Sequence, residues 1–523
     1  MSFTLKSCLQ RSFLLRLLQT VGLSLALMTA SAGGVHAENV TVQGKDGANG
    51  FDNFDQGENA GSGGDGESVT ASAGSAQPIT SPLNTATASG GSGGNGGNNF
   101  AVPCCGFFGG FPGNGGFGGA AKATAATTIL SGAAEADAAA TGGSGGDGGQ
   151  NPPNVEPSSG GGSGGTATAS ATGSTGSGSA TTSVTAKGGN GGFGVDQGGF
   201  GGDANASSTA RTTGSGDALS SANAAAGAFG GSDDIRGANG NATATADASA
   251  AGGGKAIATA VATVPSLDGL LPTSGSATSD AVTVNGAMAQ ALSTVVGSEF
   301  EMQATSTAKT SFAGVGVQST AAFVDGFSGT AMTDAIAQGR SGQTAVDPSK
   351  TDAVIATALP DKAYAATLIG GASNVADALL GPHDEIFGTA ILGEEIGQEG
   401  IILGTASATF DFSFRGDLIL GVIEGSDFGI YFDVTVNGVQ VFTGSSLTDT
   451  VVNLGNFGPN IDLTISGSGA FAFGGVVSET AVPETSSWAM MMLGFAGLGF
   501  VGYRSAGRGR CSSGTFSDQK AVH

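Results

Sequence analysis

Gly240-Asn241 leads into Ala242-Thr243-Ala244-Thr245-Ala246-Asp247-Ala248, and this stretch decides the fold expected for much of the chain. Alanine stands at every second position with a polar residue between, so the apolar period is two. That period is typical of a β-strand with alanine on one face and Thr, Ser or Asp on the other. Similar runs follow the glycine clusters 161–165 and 252–254, so the strand is expected to repeat.

The glycine clusters between these runs are expected to act as turns or flexible joints. Two pictures stay open for the low-complexity region 38–265. One is a stack of short strands, in a solenoid-like or flat sheet with a thin alanine core. The other is a mostly disordered, acidic Gly/Ser linker. The uneven repeat lengths weaken the first picture, and the frequency of the alternation counts against the second.

Larger apolar side chains mark the last part of the body, residues 386–478, after a transitional Ala/Thr-rich segment at 266–385. Phe410, Phe412 and Phe414 alternate with polar residues, and Asn437-Gly438 between two alternating segments predicts a two-residue hairpin. This region is expected to be a small antiparallel β-sandwich-like domain. The fold class is therefore mainly β, with irregular β repeats or disorder before the sandwich and one transmembrane helix after it.

The charge of the chain is strongly acidic, with a net charge of −24 over 523 residues. Several of its 18 Lys and Arg residues lie near the two termini, so the body between them is more acidic still. Such a surface repels nucleic acid and anionic lipid, and no nucleic-acid partner is expected.

The first 37 residues have the pattern of a secretory signal peptide. Positive residues precede a short apolar segment at 17–28, and small residues stand at −3 and −1 of a cleavage site. Signal peptidase is expected to cut between Ala37 and Glu38. The positive residues are Lys6, Arg11 and Arg16.

A second apolar run, 489–503, lies close to the C-terminus. As a helix over 488–503 it would rise about 24 Å, with Trp488 and Tyr503 at the two membrane interfaces. The arginines that follow would hold tail 511–523 in the cytoplasm by the positive-inside rule. The body would then lie outside the inner membrane, anchored by this helix.

The segment 482–510 resembles the PEP-CTERM sorting signal of Gram-negative bacteria, over about 28 residues. The resemblance implies recognition by an exosortase, which releases the body or transfers it to the surface, and an association with exopolysaccharide and biofilm matrix. Thr485 stands where a second proline is usual, and the tail is longer than is typical. The resemblance carries no fold or activity for the body. The matching residues are Pro483, Glu484, Trp488, Ala489, Tyr503, Arg504, Arg508 and Arg510.

Reactive side chains are few in the exported portion. His383 is its only histidine, and Cys104 and Cys105 are adjacent, a pair too small for a disulfide framework or a metal site. Asp196 and Asp203 end two glycine-rich copies that faintly match a calcium-binding nonapeptide, with an offset of seven instead of nine. No cofactor is expected. The alternative is a calcium ion bound by Asp196 and Asp203.

The function expected from these observations is that of an exported, non-enzymatic surface or extracellular-matrix protein. Signal peptidase, an exosortase and exopolysaccharide are its expected partners. The alternative is a calcium- or carbohydrate-binding adhesin held by a plain C-terminal membrane anchor.

Overall fold

The structure, a computed structural model, describes most of residues 38–479. The leader 1–37 and the C-terminal segment 480–523, with the predicted sorting signal and helix, lie outside the described residues, as do Cys104, Cys105 and His383. The internal segments not described are 56–57, 75–81, 101–109, 152–158, 233–236, 266–272, 286–287, 298–301, 312–315, 325–328, 338–339, 349–352, 359–383, 393–402, 413–415, 425–429, 447–449, 458–460 and 469–470.

Twenty-six strands are described. The first sixteen are β1 (Glu38–Gln43), β2 (Val69–Ala73), β3 (Leu83–Ser89), β4 (Ala121–Ile129), β5 (Ala134–Thr141), β6 (Ala167–Thr175), β7 (Ala180–Lys187), β8 (Ala204–Thr212), β9 (Ala218–Ala225), β10 (Ala242–Ala250), β11 (Ala256–Thr263), β12 (Gly275–Thr283), β13 (Met288–Val296), β14 (Met302–Thr310), β15 (Gly316–Val324) and β16 (Gly329–Ala337). The rest are β17 (Arg340–Pro348), β18 (Ala353–Ala358), β19 (Asp384–Leu392), β20 (Leu403–Phe412), β21 (Gly416–Glu424), β22 (Ile430–Val436), β23 (Val439–Ser446), β24 (Thr450–Phe457), β25 (Ile461–Ser468) and β26 (Phe471–Glu479).

Two sheets are built by alternate strands. Odd-numbered strands β1 to β15 form one parallel sheet and even-numbered strands β2 to β16 form the other. The chain therefore winds as a solenoid in which each coil adds one strand to each sheet. We call the two sheets the odd sheet and the even sheet.

Alanine fills the space between the sheets, as the two-residue period predicts. In β10 every alanine is buried, and the residues between are exposed or half-buried. A few hydroxyl side chains lie within the alanine core and form hydrogen bonds to one another between the two sheets. Ser208 of the even sheet bonds to Thr182 at 2.6 Å and to Ser220 at 2.9 Å, both in the odd sheet. The stacked-strand picture of residues 38–265 is therefore the one that the structure shows.

The glycine clusters are packed chains, and the expectation that they are turns or flexible joints is wrong. We call them the glycine arms. Outgoing arms leave odd strands and return arms lead into even strands, so the arms extend both sheets as a second two-layered block. The outgoing arms are 44–53, 90–99, 142–151, 188–194 and 226–231, and the return arms are 59–67, 110–119, 159–165, 197–202 and 237–241.

Hydrogen bonds between the arms repeat every three residues, the period of the polyproline II helix. In one triplet, Gly93 N donates to the next arm of its own layer, at 2.8 Å, and Gly94 N donates to Gly64 O in the other layer, at 2.8 Å. The third residue faces solvent, and Asn95 N donates to Asn49 Oδ1 of the preceding coil, at 2.9 Å. Each amide of the triplet thus has a partner outside its own arm.

In most triplets of the middle coils, close approach of the arms requires glycine at the first two positions. A Cβ built on Gly94 would lie 2.1 Å from Ala48 O, and one on Gly162 would lie 1.8 Å from Gly116 O. These separations are far inside van der Waals contact. The third position has room for a side chain, and it carries many of the Asn, Asp, Ser and Phe residues of the clusters, among them Asn95, Asp147, Ser163 and Phe193.

Among the described residues the arms shorten along the chain, and the last of them precede the first larger core residues. After β11, Val264 is buried and Pro265 follows it, and no further arm is described. Val295 and Met302 are also buried here, and a Cβ on Gly275 would lie 2.5 Å from Val295 Cγ1. Glycine at 275 therefore makes room for these longer side chains.

The predicted antiparallel sandwich at 386–478 is wrong. Its strands extend the same two sheets: β18, β19, β26, β21 and β24 follow β15, and β17, β20, β25, β22 and β23 follow β16. Pairing becomes antiparallel at this junction, but no separate pair of sheets forms. The predicted hairpin is confirmed, since β22 and β23 join through Asn437 (φ 52°) and Gly438 (φ 74°).

Helices are absent from the described residues, which hold strands, turns and extended arms. In that part of the chain no helix is long and apolar enough to cross a membrane. The described fold therefore corrects the expected sandwich-like domain to a continuation of the two stacked sheets, while the helix predicted at 488–503 lies outside the described residues.

Candidate functional site

The outer surface of the even sheet carries polar side chains in straight rows. Parallel strands in register place equivalent residues side by side, so each outward position continues from coil to coil. One row has a hydroxyl on seven adjacent strands, β2 to β14, and we call it the hydroxyl row. Its members are Ser72, Thr124, Ser170, Ser207, Thr245, Thr278 and Thr305.

A second polar row runs beside it, two residues nearer to the glycine arms. At about 4.8 Å between strands the hydroxyl row is about 29 Å long, and the rows are about 6.6 Å apart. All side chains of the second row can donate hydrogen bonds. They are Thr70, Lys122, Thr168, Asn205, Thr243, Ser276, Gln303 and Thr330. The two rows form a grid of hydrogen-bond donors and acceptors, which we call the even face.

Carboxylates lie on the other side of the hydroxyl row. Asp247 and Asp280 are register partners on β10 and β12, and Asp334 lies two strands beyond Asp280. Partial burial raises the pKa of both Asp247 and Asp280, and for Asp280 the neighbouring carboxylate of Asp247 adds to the rise. Lys309 Nζ lies 3.9 Å from Asp334 Oδ2 and counteracts the rise at Asp280. The even face is thus bordered by a mildly acidic strip.

The outer surface of the odd sheet is less regular. Its rows contain Leu219 and Ile257 as register partners, and Val261 and Leu292 nearby. It also carries Asp137 on β5, where burial, and next the charge of Glu135, raises the carboxyl pKa to about 6. One outward row of the odd sheet is polar on the six strands from β1 to β11, but the rows on both sides of it contain apolar residues, so the odd sheet has no second continuous polar row. The members of this row are Asn39, Thr85, Asp137, Ser183, Ser221 and Thr259.

Asp137 is expected to make stability depend on pH near neutrality. The pKa of Asp137 in the folded state lies above its value in the unfolded state. The protonated carboxyl therefore stabilises the fold fully below about pH 4, and this contribution is lost as the pH rises through about 6. Its partners in register, Thr85 and Ser183, do not titrate. We expect Asp137→Asn to flatten the dependence of melting temperature on pH between 4 and 7, as followed by circular dichroism.

A second variant checks the cause of that pH dependence. Glu135→Gln removes the charge that helps to raise the Asp137 pKa, so the change in stability should move to lower pH without disappearing. A wild-type melting curve that responds to pH in the same way as Asp137→Asn would contradict the assignment.

The two aspartates predicted as calcium ligands, Asp196 and Asp203, make different hydrogen bonds in different parts of the arms. Asp203 Oδ1 accepts hydrogen bonds from Asn241 N at 2.8 Å and Asn241 Nδ2 at 3.3 Å, as the arm-to-arm pattern requires. Asp196 lies in the turn that joins two arms, where its N–H donates to Ser159 O at 3.2 Å. Within the described ranges, no three His, Cys, Asp or Glu residues are placed to hold a metal ion.

Of the predicted cleavage and sorting residues, only Glu38 lies within the described part of the chain. Glu38, at the predicted cleavage site, is the first residue of β1, and its Oε2 accepts from Gly74 N at 2.6 Å. Ala37 and the sorting-signal residues from Pro483 to Arg510 lie outside the described residues. The even face is not among the predicted sites, although the Thr and Ser residues between the alanines are its signal in the sequence.

The comparisons with known proteins give little guidance. No family model and no curated protein matches the chain. Among solved structures it is similar to the enzymatically active domain of tailspike protein 4 of bacteriophage CBA120. The identity is 7%, over 76% of this chain and 55% of that chain, with a TM-score of 0.13. The chain thus spans about half the length of that domain, and the similarity carries no argument about fold or activity.

Proposed function

We propose that this protein is an exported, non-enzymatic component of the cell surface or extracellular matrix of a Gram-negative bacterium, and that its even face contacts exopolysaccharide. The observation that carries the proposal is the hydroxyl row with its polar neighbour, a donor and acceptor grid repeated at constant spacing. A ligand that uses such a grid has hydroxyl groups at regular intervals. Polysaccharides have that chemistry.

The energetics favour an extended ligand over a small one. A single hydrogen bond between protein and sugar contributes only about 0.5–1.5 kcal/mol, because both partners leave water. A polymer that lies along several strands makes many such bonds, and each bond raises the effective concentration for the next. The net charge of −24 favours a neutral or cationic chain over an anionic one.

Export and sorting rest on the two ends of the sequence. The leader at 1–37 and the PEP-CTERM-like segment at 482–510 support passage across the inner membrane, followed by exosortase processing. The strands between them support a passenger with a material or adhesive role. A plain membrane anchor is the alternative fate of the C-terminus.

Recovery of the protein from the extracellular matrix of producing cells tests the proposal. The wild-type protein is expected in the polysaccharide fraction, and its measured mass should show a mature chain that begins at Glu38 and lacks the arginines after Tyr503. The variant with Thr245→Val and Thr278→Val removes two hydroxyls at nearly constant shape. We expect about tenfold less retention on the purified polysaccharide.

The matched control changes two threonines on the odd sheet, Thr259→Val and Thr263→Val, and should be retained like wild type. Equal retention of both double variants would exclude the even face as the contact. An intact chain ending at His523 in the inner membrane would exclude exosortase processing and leave a plain anchor.

A further inference from the structure

Exposed phenylalanines gather where the first two outgoing arms end, far along the arms from the strands. Phe54 is 72% exposed and Phe100 is 46% exposed, and their rings stack with centroids 5.2 Å apart at 17°. Phe51 is 70% exposed and lies one triplet, about 9 Å, before Phe54. We call these three residues the aromatic tip.

The stacked pair arises from the coil repeat. Asn53 precedes Phe54 and Asn99 precedes Phe100, and the two asparagines pair in register as a parallel bridge. Phe100 N donates to Asn53 O at 2.8 Å, so the bridge continues into the second phenylalanine. The same register that aligns the glycine arms therefore places the two rings side by side.

Buried side chains hold the aromatic tip in place. Asn53 is buried, and its Nδ2 donates to Asp55 O at 2.9 Å and to Glu58 O at 2.5 Å, while Asp55 N donates to Asn53 Oδ1 at 3.0 Å. Asn99 is also buried, and its Nδ2 donates to Gly110 O. Exposed rings on a preorganised backbone lose little conformational entropy on binding a partner.

The surroundings of the aromatic tip are uniformly acidic. Asp52, Asp55 and Glu58 are exposed beside the rings. Residues 46–121 contain six Asp and Glu and no Lys, Arg or His. Along the sequence, the basic residue nearest to Phe51 and Phe54 is Lys45, at the opposite end of the first arm. A second copy of the same tip, an anionic lipid surface or nucleic acid would be repelled.

Aromatic faces bordered by carboxylates are complementary to organic cations. The negative face of a phenylalanine ring attracts an ammonium group, and the nearby carboxylates add Coulombic attraction. We propose that the aromatic tip binds amine-bearing, positively charged glycan chains. This inference rests on the proposed function only in taking the partner to be an extracellular polysaccharide, and it assigns the contact to a different surface.

Calorimetry on the purified full-length protein tests the proposal, with glucosamine oligomers as the cationic probe and N-acetylglucosamine oligomers of equal length as the neutral one. Only the glucosamine oligomers are expected to bind, and more weakly as salt increases. The double variant Phe54→Ala and Phe100→Ala should raise the Kd at least tenfold. Asp55→Asn with Glu58→Gln should weaken binding and reduce its salt dependence.

Phe200→Leu is the matched control, since Phe200 is 42% exposed on a return arm away from the stacked pair. It should bind like wild type. Equal affinity for the acetylated oligomers, no binding of either probe, or wild-type affinity in the double phenylalanine variant would overturn the proposal. Retention on polysaccharide through the even face is measured with other variants, so failure at the tip leaves that result unaffected.

Discussion

Replacing Gly162 with alanine is expected to lower the free energy of unfolding by about 3 kcal/mol or more. Gly162 lies in a return arm at the second position of its triplet, and its N–H donates to Gly146 O at 2.8 Å. A Cβ there would lie 1.8 Å from Gly116 O and 2.6 Å from its carbonyl carbon. Both atoms belong to backbone that is itself hydrogen-bonded on both sides, so the arms must separate and lose bonds.

Gly160→Ala, two residues earlier in the same arm, is the matched control. Gly160 holds the solvent-facing third position, where the nearest atoms to an added Cβ are Asn114 Oδ1 at 3.7 Å and Gln197 O at 3.8 Å. Its substitution should leave stability within about 0.5 kcal/mol of wild type. Denaturant unfolding and hydrogen exchange of the arm amides measure both variants. Equal stability of the two would show that the arms are loosely packed.

The same steric rule explains the residues of the first arm. Lys45, Ala48 and Phe51 occupy the second triplet position, where the next outgoing arm has glycine. In later coils a Cβ at that position would meet the arm of the same layer in the preceding coil, as on Gly94, where it would lie 2.1 Å from Ala48 O. Among the described residues no coil precedes the first, so a side chain fits there.

The strands of the first two-thirds of the chain could be predicted from the sequence because their signal is local. Ala242 to Ala250 alternates by itself, and burial follows that alternation residue by residue. Asn437-Gly438 is equally local, since a two-residue turn needs positive φ at both positions. Neither signal depends on knowing which strand pairs with which.

The glycine arms could not be recognised in this way. A triplet such as Gly93-Gly94-Asn95 has no internal hydrogen bond, and it becomes ordered only through three neighbouring arms. Taken alone, such a triplet resembles a flexible linker. The close approach that requires glycine is a property of the assembled block.

The register between neighbouring strands could not be predicted from the sequence, because the coils differ in length. The even face depends on that register, so it could not be predicted either. Equivalent arm residues are 46 or 52 positions apart in the first coils and 38 or 33 positions apart later, because the arms shorten. No fixed period therefore appears in the sequence. Thr245 and Thr278 become neighbours only when each strand start is aligned, and the rows then follow.

The second large effect is expected from enlarging the alanine core. Ala258 on β11 is fully buried, and its register partners are Ser220 and Ala291, both also buried. The sheets are held at a separation set by alanine, so the three added carbons of a leucine have no space. We expect Ala258→Leu to lower the free energy of unfolding by about 3 kcal/mol, the upper end of typical overpacking costs.

Thr259→Leu provides the control at the next residue of the same strand. Its side chain points outward and is only half-buried, so leucine there should change stability by less than about 0.5 kcal/mol. Thermal and denaturant unfolding of the two variants separate the effect of position from that of residue type. If both leucines were tolerated equally, the two sheets could move apart at little cost, and the alanine core would not define their spacing.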